Sequence, residues 1–361
     1  MKTPHYKRSF IMNKKIFTLL LIMILAFSGI VPTQGSKAVA AEKQHIIVID
    51  PGHGGEGDRN LGAQYNGLSE KALTLQVANA MKTELEKYEN ITVYLTRTDD
   101  RFISLEDRAA FAKSVNAEFV FSIHFNASAE HNFYGSEVWT SAFDKYYQAG
   151  MNFGNIETSE LSALGLYQKG VKTKLGSKGS DYYGIIRNSV ARDIPCVIIE
   201  HAYLDHGYDL PLVKSADFMT KLGAADARSV AKYFGLKSTA LGVDYSGFKY
   251  NSVSKPAAPV GQDATEPEVC SINVLSTDKA SGNVLVEMTT KDSGSPVIYF
   301  AYSYDGGQTY SYLQMWDRTK ETQSFNVNVP KSCKNPVIVC RAYNSYELFK
   351  ESNAVQVTDL Q

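Results

Sequence analysis

Three short apolar runs, Ile46–Ile49, Phe119–Ile123 and Cys196–Ile199, constrain the fold of this chain more than any other feature. Strands buried on both faces of a sheet read this way, because neither side of the pleat meets water. The first run ends at Asp50-Pro51-Gly52, a turn signal. Helical periodicity fills the intervals. After Ser69, the residues Leu73, Val77, Ala80, Met81, Leu85 and Tyr88 share one face. A second helix over Leu105–Val115 turns Leu105, Ala109, Ala112 and either Phe111 or Val115 inward. Ile91–Leu95 reads as a further strand, Glu137–Trp139 and Gly184–Ile186 as shorter ones, and Phe218–Phe234 as a closing amphipathic helix. Alternation of this kind predicts an α/β domain over residues 42–237, with a mostly parallel sheet and helices on both faces.

The pattern then changes twice. Residues 238–267 lose periodicity and are rich in Ser, Gly, Pro and Ala, with Lys255-Pro256-Ala257-Ala258-Pro259 at the centre, which predicts a linker. From 268 to 361 the helical signal gives way to short β-rich runs separated by turn residues such as Ser281-Gly282 and Asp305-Gly306-Gly307. About seven strands in that length predict an all-β sandwich of immunoglobulin or fibronectin type. Within it, Ser303-Tyr304-Asp305-Gly306-Gly307-Gln308-Thr309-Tyr310 matches the Asp-box. A propeller would need several copies, so the single one reads as a hairpin turn stabilised by Asp305.

The 361 residues carry a formal charge of −1, but unevenly. Residues 1–41 hold Lys2, Lys7, Arg8, Lys14, Lys15 and Lys37 and no acid, so the remainder has 31 basic against 38 acidic residues, a net of −7. So acidic a remainder argues against nucleic acid as a partner. Lys14-Lys15, the apolar run Ile16–Val31 and the small residues Ala38–Ala41 form the pattern of a secretory signal peptide, with Met12 as an alternative start and residues 1–11 as an upstream extension. An uncleaved membrane anchor is the other reading; no later apolar run is long enough to span a bilayer. The expectation is a secreted, cell-wall-associated protein. Four cysteines are too few for a disulfide framework. Cys196 reads as a buried thiol, while Cys333 and Cys340 are placed to pair across neighbouring strands.

Ligands of open α/β sheets bind outside the carboxyl ends of the strands. His53 follows the first apolar run, His124 ends the second, Glu200 ends the third, and Glu70 opens the helix after the first loop. Two histidines and a carboxylate suit Zn2+ with one position left for water, and a further carboxylate suits a general base. Taken singly, each has a plainer reading: a hydrogen-bonded histidine, or a first-turn acid favoured by the helix dipole. Glu200 resists it, since a carboxylate straight after four apolar residues is costly to desolvate without a partner. Gly52-His53-Gly54-Gly55-Glu56-Gly57 also satisfies the dinucleotide fingerprint, but no helix follows until Ser69, and Asp50 and Glu56 would repel phosphates. There is no H-E-x-x-H, and His201 and His206 would point about 140° apart on a helix; both read as loop residues, with support of the site by His201, next to Glu200, as the other reading.

Over residues 45–236 the sequence resembles the zinc-dependent N-acetylmuramoyl-L-alanine amidases of the amidase 3 family. The resemblance rests on Ile47–Gly55, Glu70-Lys71 with Leu73 and Leu75, Leu95–Asp100, Leu105 with Arg108, Ser122–Ala127, Gly135–Val138 and Pro195–Glu200, in that order. It implies that His53, Glu70 and His124 bind zinc, that Glu200 is the catalytic carboxylate, and that the reaction is hydrolysis of the amide between N-acetylmuramic acid and L-alanine of peptidoglycan. It places Asn126 as an orienting residue; Arg187 reads equally as a contact for stem-peptide carboxylates or as a surface salt-bridge residue. Many family members carry Gly and Phe where this chain has Ala202 and Tyr203. Residues 143–179 fall outside the clear resemblance and leave room for an extra helix near the cleft. A non-catalytic wall-binding protein that keeps the fold is the alternative function, and the β-sandwich is available to bind the cell wall or a protein partner.

Overall fold

The computed structural model describes residues 43–358 and 360, apart from 56, 58 and 59. The signal-peptide expectation for residues 1–41 lies outside the described residues. Among the described residues, no helix is long and apolar enough to cross a membrane.

The chain opens with β1 (His45–Pro51), a small hairpin of β2 (Gln64–Tyr65) and β3 (Leu68–Ser69), then α1 (Glu70–Leu85), β4 (Ile91–Leu95), α2 (Leu105–Ser114) and β5 (Phe119–Asn126). It continues through β6 (Ser136–Thr140), α3 (Asp144–Ser162), β7 (Gln168–Thr173), α4 (Gly184–Val190), β8 (Cys196–Tyr203), a short α5 (Leu210–Val213) and α6 (Phe218–Phe234). These strands form a six-stranded sheet in the order β4-β1-β5-β8-β6-β7. β4, β1, β5 and β8 run parallel; β6 runs antiparallel to β8 and parallel to β7.

Both faces of the sheet are covered, as the apolar runs require. Ile47 and Ile49 of β1 join Phe119 and Phe121 in a core with Val77 and Met81 of α1, Phe153 of α3 and Val230 of α6. Val48 and Val120 point the other way, to Ala112 of α2 and Ile185 and Ile186 of α4. Burying each such side chain contributes roughly 1.5–3 kcal/mol. Cys196 lies in this second core.

Two sequence expectations need correction. Gly184–Ile186 opens helix α4 rather than forming a strand; three apolar residues cannot distinguish the two periods, and Ile185 and Ile186 cover the sheet instead of joining it. Leu105 does not face inward. It is the first residue of α2, capped by the Ser104 hydroxyl, and is 49% exposed at the mouth of a cleft. Residues 143–179, with room for an extra helix near the cleft, hold helix α3, which packs Phe153 into the first core, and strand β7.

Residues 237–267 begin with the small hairpin β9 (Lys237–Ser238) and β10 (Val243–Asp244) and then lie along the α/β layer, where the Val260 amide donates to Ala142 and the Thr173 hydroxyl to the Val260 carbonyl. The C-terminal region is all β. β11 (Val269–Asp278), β12 (Asn283–Lys291) and, later, β15 (Thr322–Asn328) form one sheet; β13 (Val297–Ser303), β14 (Gln314–Met315), β16 (Val337–Asn344), β17 (Phe349–Glu351) and β18 (Val355–Gln356) form the other. Val286, Met288, Trp316, Ile338 and Cys340 fill the core shared by the two sheets. The four cysteines are free thiols: Cys340 faces this core beside Cys270, and Cys333 lies against the Tyr304 carbonyl, so the two do not pair. At the Asp-box, Asp305 accepts from the Ser303 hydroxyl and from the Thr309 amide and hydroxyl, a turn-stabilising role.

Candidate metal centre and catalytic cleft

The cluster assembles where β1 and β5 end. After Pro51 the chain turns through Gly52, whose position admits no side chain: a Cβ there would lie 2.4–2.7 Å from the His124 ring. His53 follows in the left-handed region (φ 60°), its carbonyl held by Arg108. Arg108 also pairs with Asp50 at 2.8 Å, both groups buried, and Asp50 accepts from Thr96 and Ser122. This frame fixes the turn that presents His53. Gly62 (φ 70°) makes room on the other side, since a Cβ there would meet Glu70 and His53.

Glu70 is the first residue of α1 and only 3% exposed. Its Oε1 lies 3.1 Å from His53 Nε2 and 3.0 Å from His124 Nδ1 and accepts the Phe125 amide, while Oε2 accepts the Ala63 amide. Ligand atoms from His53, Glu70 and His124 all lie within 4.8 Å of one another. His53 Nδ1 faces Asn60 Oδ1 at 3.3 Å, which assigns the proton to Nδ1 and leaves the Nε2 lone pair toward Glu70. The His53 Nε2 lone pair, His124 Nδ1 and a carboxylate oxygen converge, a donor set that suits a cation. Bonds of about 2.0–2.2 Å to one ion would set neighbouring ligand atoms roughly 3.3–3.5 Å apart, close to the spacing present. Burial opposes charge on both residues, yet the histidines hold the Glu70 carboxyl well below its usual range, and Glu70 raises His53.

Gly52 supplies a direct test. Gly52→Ala should push the His124 ring off its position and weaken metal binding at least tenfold, read by competition with a chromogenic chelator; unchanged affinity would mean that His124 is not a ligand.

Glu200 sits on β8 directly opposite His124 of β5 and Glu137 of β6. Its Oε2 is shut off from solvent and accepts no hydrogen bond. Burial, with Glu70 and Glu137 nearby, raises its pKa well above the usual carboxylate range. Such a group has a high proton affinity and suits a general base. Glu137, by contrast, is fully satisfied: it accepts from Lys172 at 2.6 Å and from Asn126 and Trp139 at 3.1 Å, and lies 3.3 Å from Lys169. Burial opposes its charge, but the two lysines bring its pKa down to about 2.

The other residues singled out in the sequence take distinct places. Asn126 holds Glu137 and lines a cavity together with Glu200. Arg187 is exposed, and its Nη1 donates to the Asp181 and Tyr182 carbonyls. It braces the turn before Tyr183. His201 lies beneath the cluster: its Nδ1 is 3.1 Å from the His124 carbonyl and its Nε2 3.1 Å from Asp226. The dinucleotide reading fails, because the loop after β1 leads into a hairpin rather than a helix N-terminus. Sequence reasoning passed over Glu137 and Tyr183. Neither carried a local signal: Glu137 follows Gly135-Ser136 rather than an apolar run, and Tyr183 is one of many tyrosines.

A sheet edge that joins three candidate metal ligands to a half-buried carboxylate, one oxygen of which has no partner, has the makings of a hydrolase centre. Residues 47–232 match the family profile described as N-acetylmuramoyl-L-alanine amidase, Amidase_3. The chain belongs to that family. It is 33% identical over 196 residues to the sporulation-specific N-acetylmuramoyl-L-alanine amidase of Bacillus subtilis, covering 54% of this chain and 69% of that one. It is 30% identical over 195 residues to the amidase CwlM of Bacillus licheniformis, covering 54% and 70%. The catalytic domain of CwlV from Bacillus (Paenibacillus) polymyxa var. colistinus aligns with a TM-score of 0.46 at 26% identity, over 54% of this chain and 100% of that one. The C-terminal β region lies beyond the matched residues.

Proposed function

We propose that this protein is an exported, zinc-dependent amidase that hydrolyses the bond between the lactyl group of N-acetylmuramic acid and L-alanine in peptidoglycan. The observation that carries this reading is the convergence of His53, Glu70 and His124 beside Glu200, inside the family-matched segment. His53 Nε2, His124 Nδ1 and a Glu70 oxygen would hold the zinc. Zinc bound there supplies Lewis acidity, which lowers the pKa of water and polarises a carbonyl. Glu200 takes the proton of the attacking water and delivers it to the departing L-alanine nitrogen. Both transfers balance: one C–N bond breaks, one C–O bond forms, and the water proton leaves on the amine. Asn126 and Glu137 fix the wall beside Glu200. The basic, apolar N-terminal segment and the family's substrate both support action outside the cell, at the wall.

Incubation of the full chain with purified cell walls should expose new L-alanine amino termini. Sedimentation with the walls without any such release would establish the non-catalytic alternative instead.

A further inference from the structure

The C-terminal β region returns to the catalytic cleft. Between β16 and β17 the chain makes a turn over Asn344–Leu348, organised by the fully buried Asn344. Its Oδ1 accepts the amides of Tyr346 (3.0 Å) and Leu348 (3.1 Å), and its Nδ2 donates to Asp263, Asp292 and the Thr265 carbonyl. The turn is therefore rigid, and its tip is fastened to the α/β layer. Tyr346 Oη donates to the Thr173 carbonyl at 3.2 Å, and its ring lies 5.6 Å from Lys172 Nζ. Glu347 pairs with Lys169 Nζ and accepts from Tyr203 Oη at 2.8 Å.

Glu347 adopts φ 69°, a left-handed conformation that glycine would adopt at lower cost. The position keeps a side chain nonetheless, and that side chain has a use. Lys169 is wholly buried and has two carboxylate partners, Glu137 on β6 and Glu347 on the turn. Glu137 stands directly across from Glu200. Tyr203 takes part as well: its hydroxyl donates to Glu347 on the turn.

The same turn closes a cavity of about 580 Å³. Asn126, Glu137, Tyr183 and Glu200 form one side; Tyr346–Leu348 and residues 262–264 form the other. A second cavity of about 560 Å³ lies beside His53 and His124, lined by Phe102, Leu105 and Ile185 and sharing Tyr183 with the first. The cleft thus has a charged arm and an apolar arm, which meet at the candidate centre. The substrate of the reaction proposed above also has two unlike arms: a sugar ring with apolar faces, and a peptide of amides and charges.

We propose that the C-terminal β region is a built-in wall of the active-site cleft, in which the Tyr346–Leu348 turn and the facing segment 262–264 grip the peptide stem beyond its first residue. Glu347 is the positioning residue that locks this wall to Lys169. The inference rests on the amidase reading but is tested separately from it.

Two soluble substrates share the scissile amide, N-acetylmuramoyl-L-alanyl-D-isoglutamine and N-acetylmuramoyl tetrapeptide. Ala264 is exposed at the cavity rim, so Ala264→Trp fills the charged arm without disturbing a core. In the full chain, Ala264→Trp should lower the long-to-short ratio of kcat/KM at least tenfold, through KM. Glu347→Gln should lower the same ratio three- to tenfold. Binding of the free tetrapeptide, measured by calorimetry, should weaken tenfold in Ala264→Trp. An unchanged ratio, or a parallel loss on both substrates in both variants, overturns the proposal. If the wild type hydrolyses neither substrate, weaker peptide binding by Ala264→Trp upholds the wall while the amidase reading falls, and equal peptide binding overturns the wall too.

Discussion

Replacing Glu200 by glutamine should lower kcat by about 10²–10⁴-fold, the usual contribution of a positioned general base, while metal content and the unfolding midpoint stay at wild-type values. The size of the effect follows from what the change removes. Glutamine fills the same space beside His124 and Glu137 but cannot take a proton from water. The fold has little to lose, because Glu200 Oε2 already lacks a hydrogen-bond partner. Glu200 and Glu137 are also directly opposed carboxylates on adjacent strands, a pairing that costs rather than contributes stability. Metal analysis separates this account from its rival: if Glu200→Gln loses the ion, Glu200 is a ligand rather than a base. Turnover within tenfold of wild type would remove Glu200 from the chemistry.

The second large effect concerns stability. Glu137→Leu should destabilise the protein by about 3–5 kcal/mol, the usual consequence of removing one member of a buried ion network. Lys172 is the reason. Its ammonium is buried, and burial already lowers its pKa; Glu137 Oε2 at 2.6 Å is its ion-pair partner, with the faces of Trp139 and Tyr346 beside it and the Glu347 charge farther off. Lys169 retains Glu347 and Tyr203, so its loss is smaller. Deprotonation offers Lys172 an escape, which fixes the sign of the pH dependence. A base whose folded pKa is depressed destabilises the fold at low pH and ceases to do so as pH rises towards its unfolded value. The deficit of Glu137→Leu should therefore shrink between pH 7 and pH 10. Adding Lys172→Met should recover at least half of it at pH 7. Urea unfolding at both pH values checks these expectations, and a deficit below about 1 kcal/mol would show that the network does not hold the sheet edge.

The α/β layer was readable in the sequence because its strands are buried on both faces. Ile46–Ile49 and Cys196–Ile199 have no polar alternation to confuse with a surface strand, and each ends where a chemically distinctive residue follows. The meeting of His53, Glu70 and His124 was legible for the same reason, since strand ends at one edge of a parallel sheet must lie side by side. What escaped were the contacts that the shared edge of the parallel strands does not imply. Leu105 obeys helical periodicity yet lies at the cleft mouth, because the first turn of α2 overhangs the sheet edge. Gly184–Ile186 is too short to show a period. Glu137, Lys169 and Lys172 look like ordinary strand residues, and only the antiparallel placement of β6 beside β8 brings one carboxylate against another and makes the lysines necessary. The grip of Glu347 on Lys169 spans 178 residues and leaves no local signature.

A metal centre of His53, Glu70 and His124, with Glu200 as the base beside it, is expected to hydrolyse the muramoyl–L-alanine amide. The most direct test follows a purified N-acetylmuramoyl tetrapeptide by mass spectrometry with the full chain as isolated, after chelation, and after zinc is restored. The account predicts two products, N-acetylmuramic acid and an intact tetrapeptide beginning with L-alanine, formed as isolated, abolished by chelation and recovered with zinc. Cleavage at another bond, or undiminished release in the chelated protein, would contradict it.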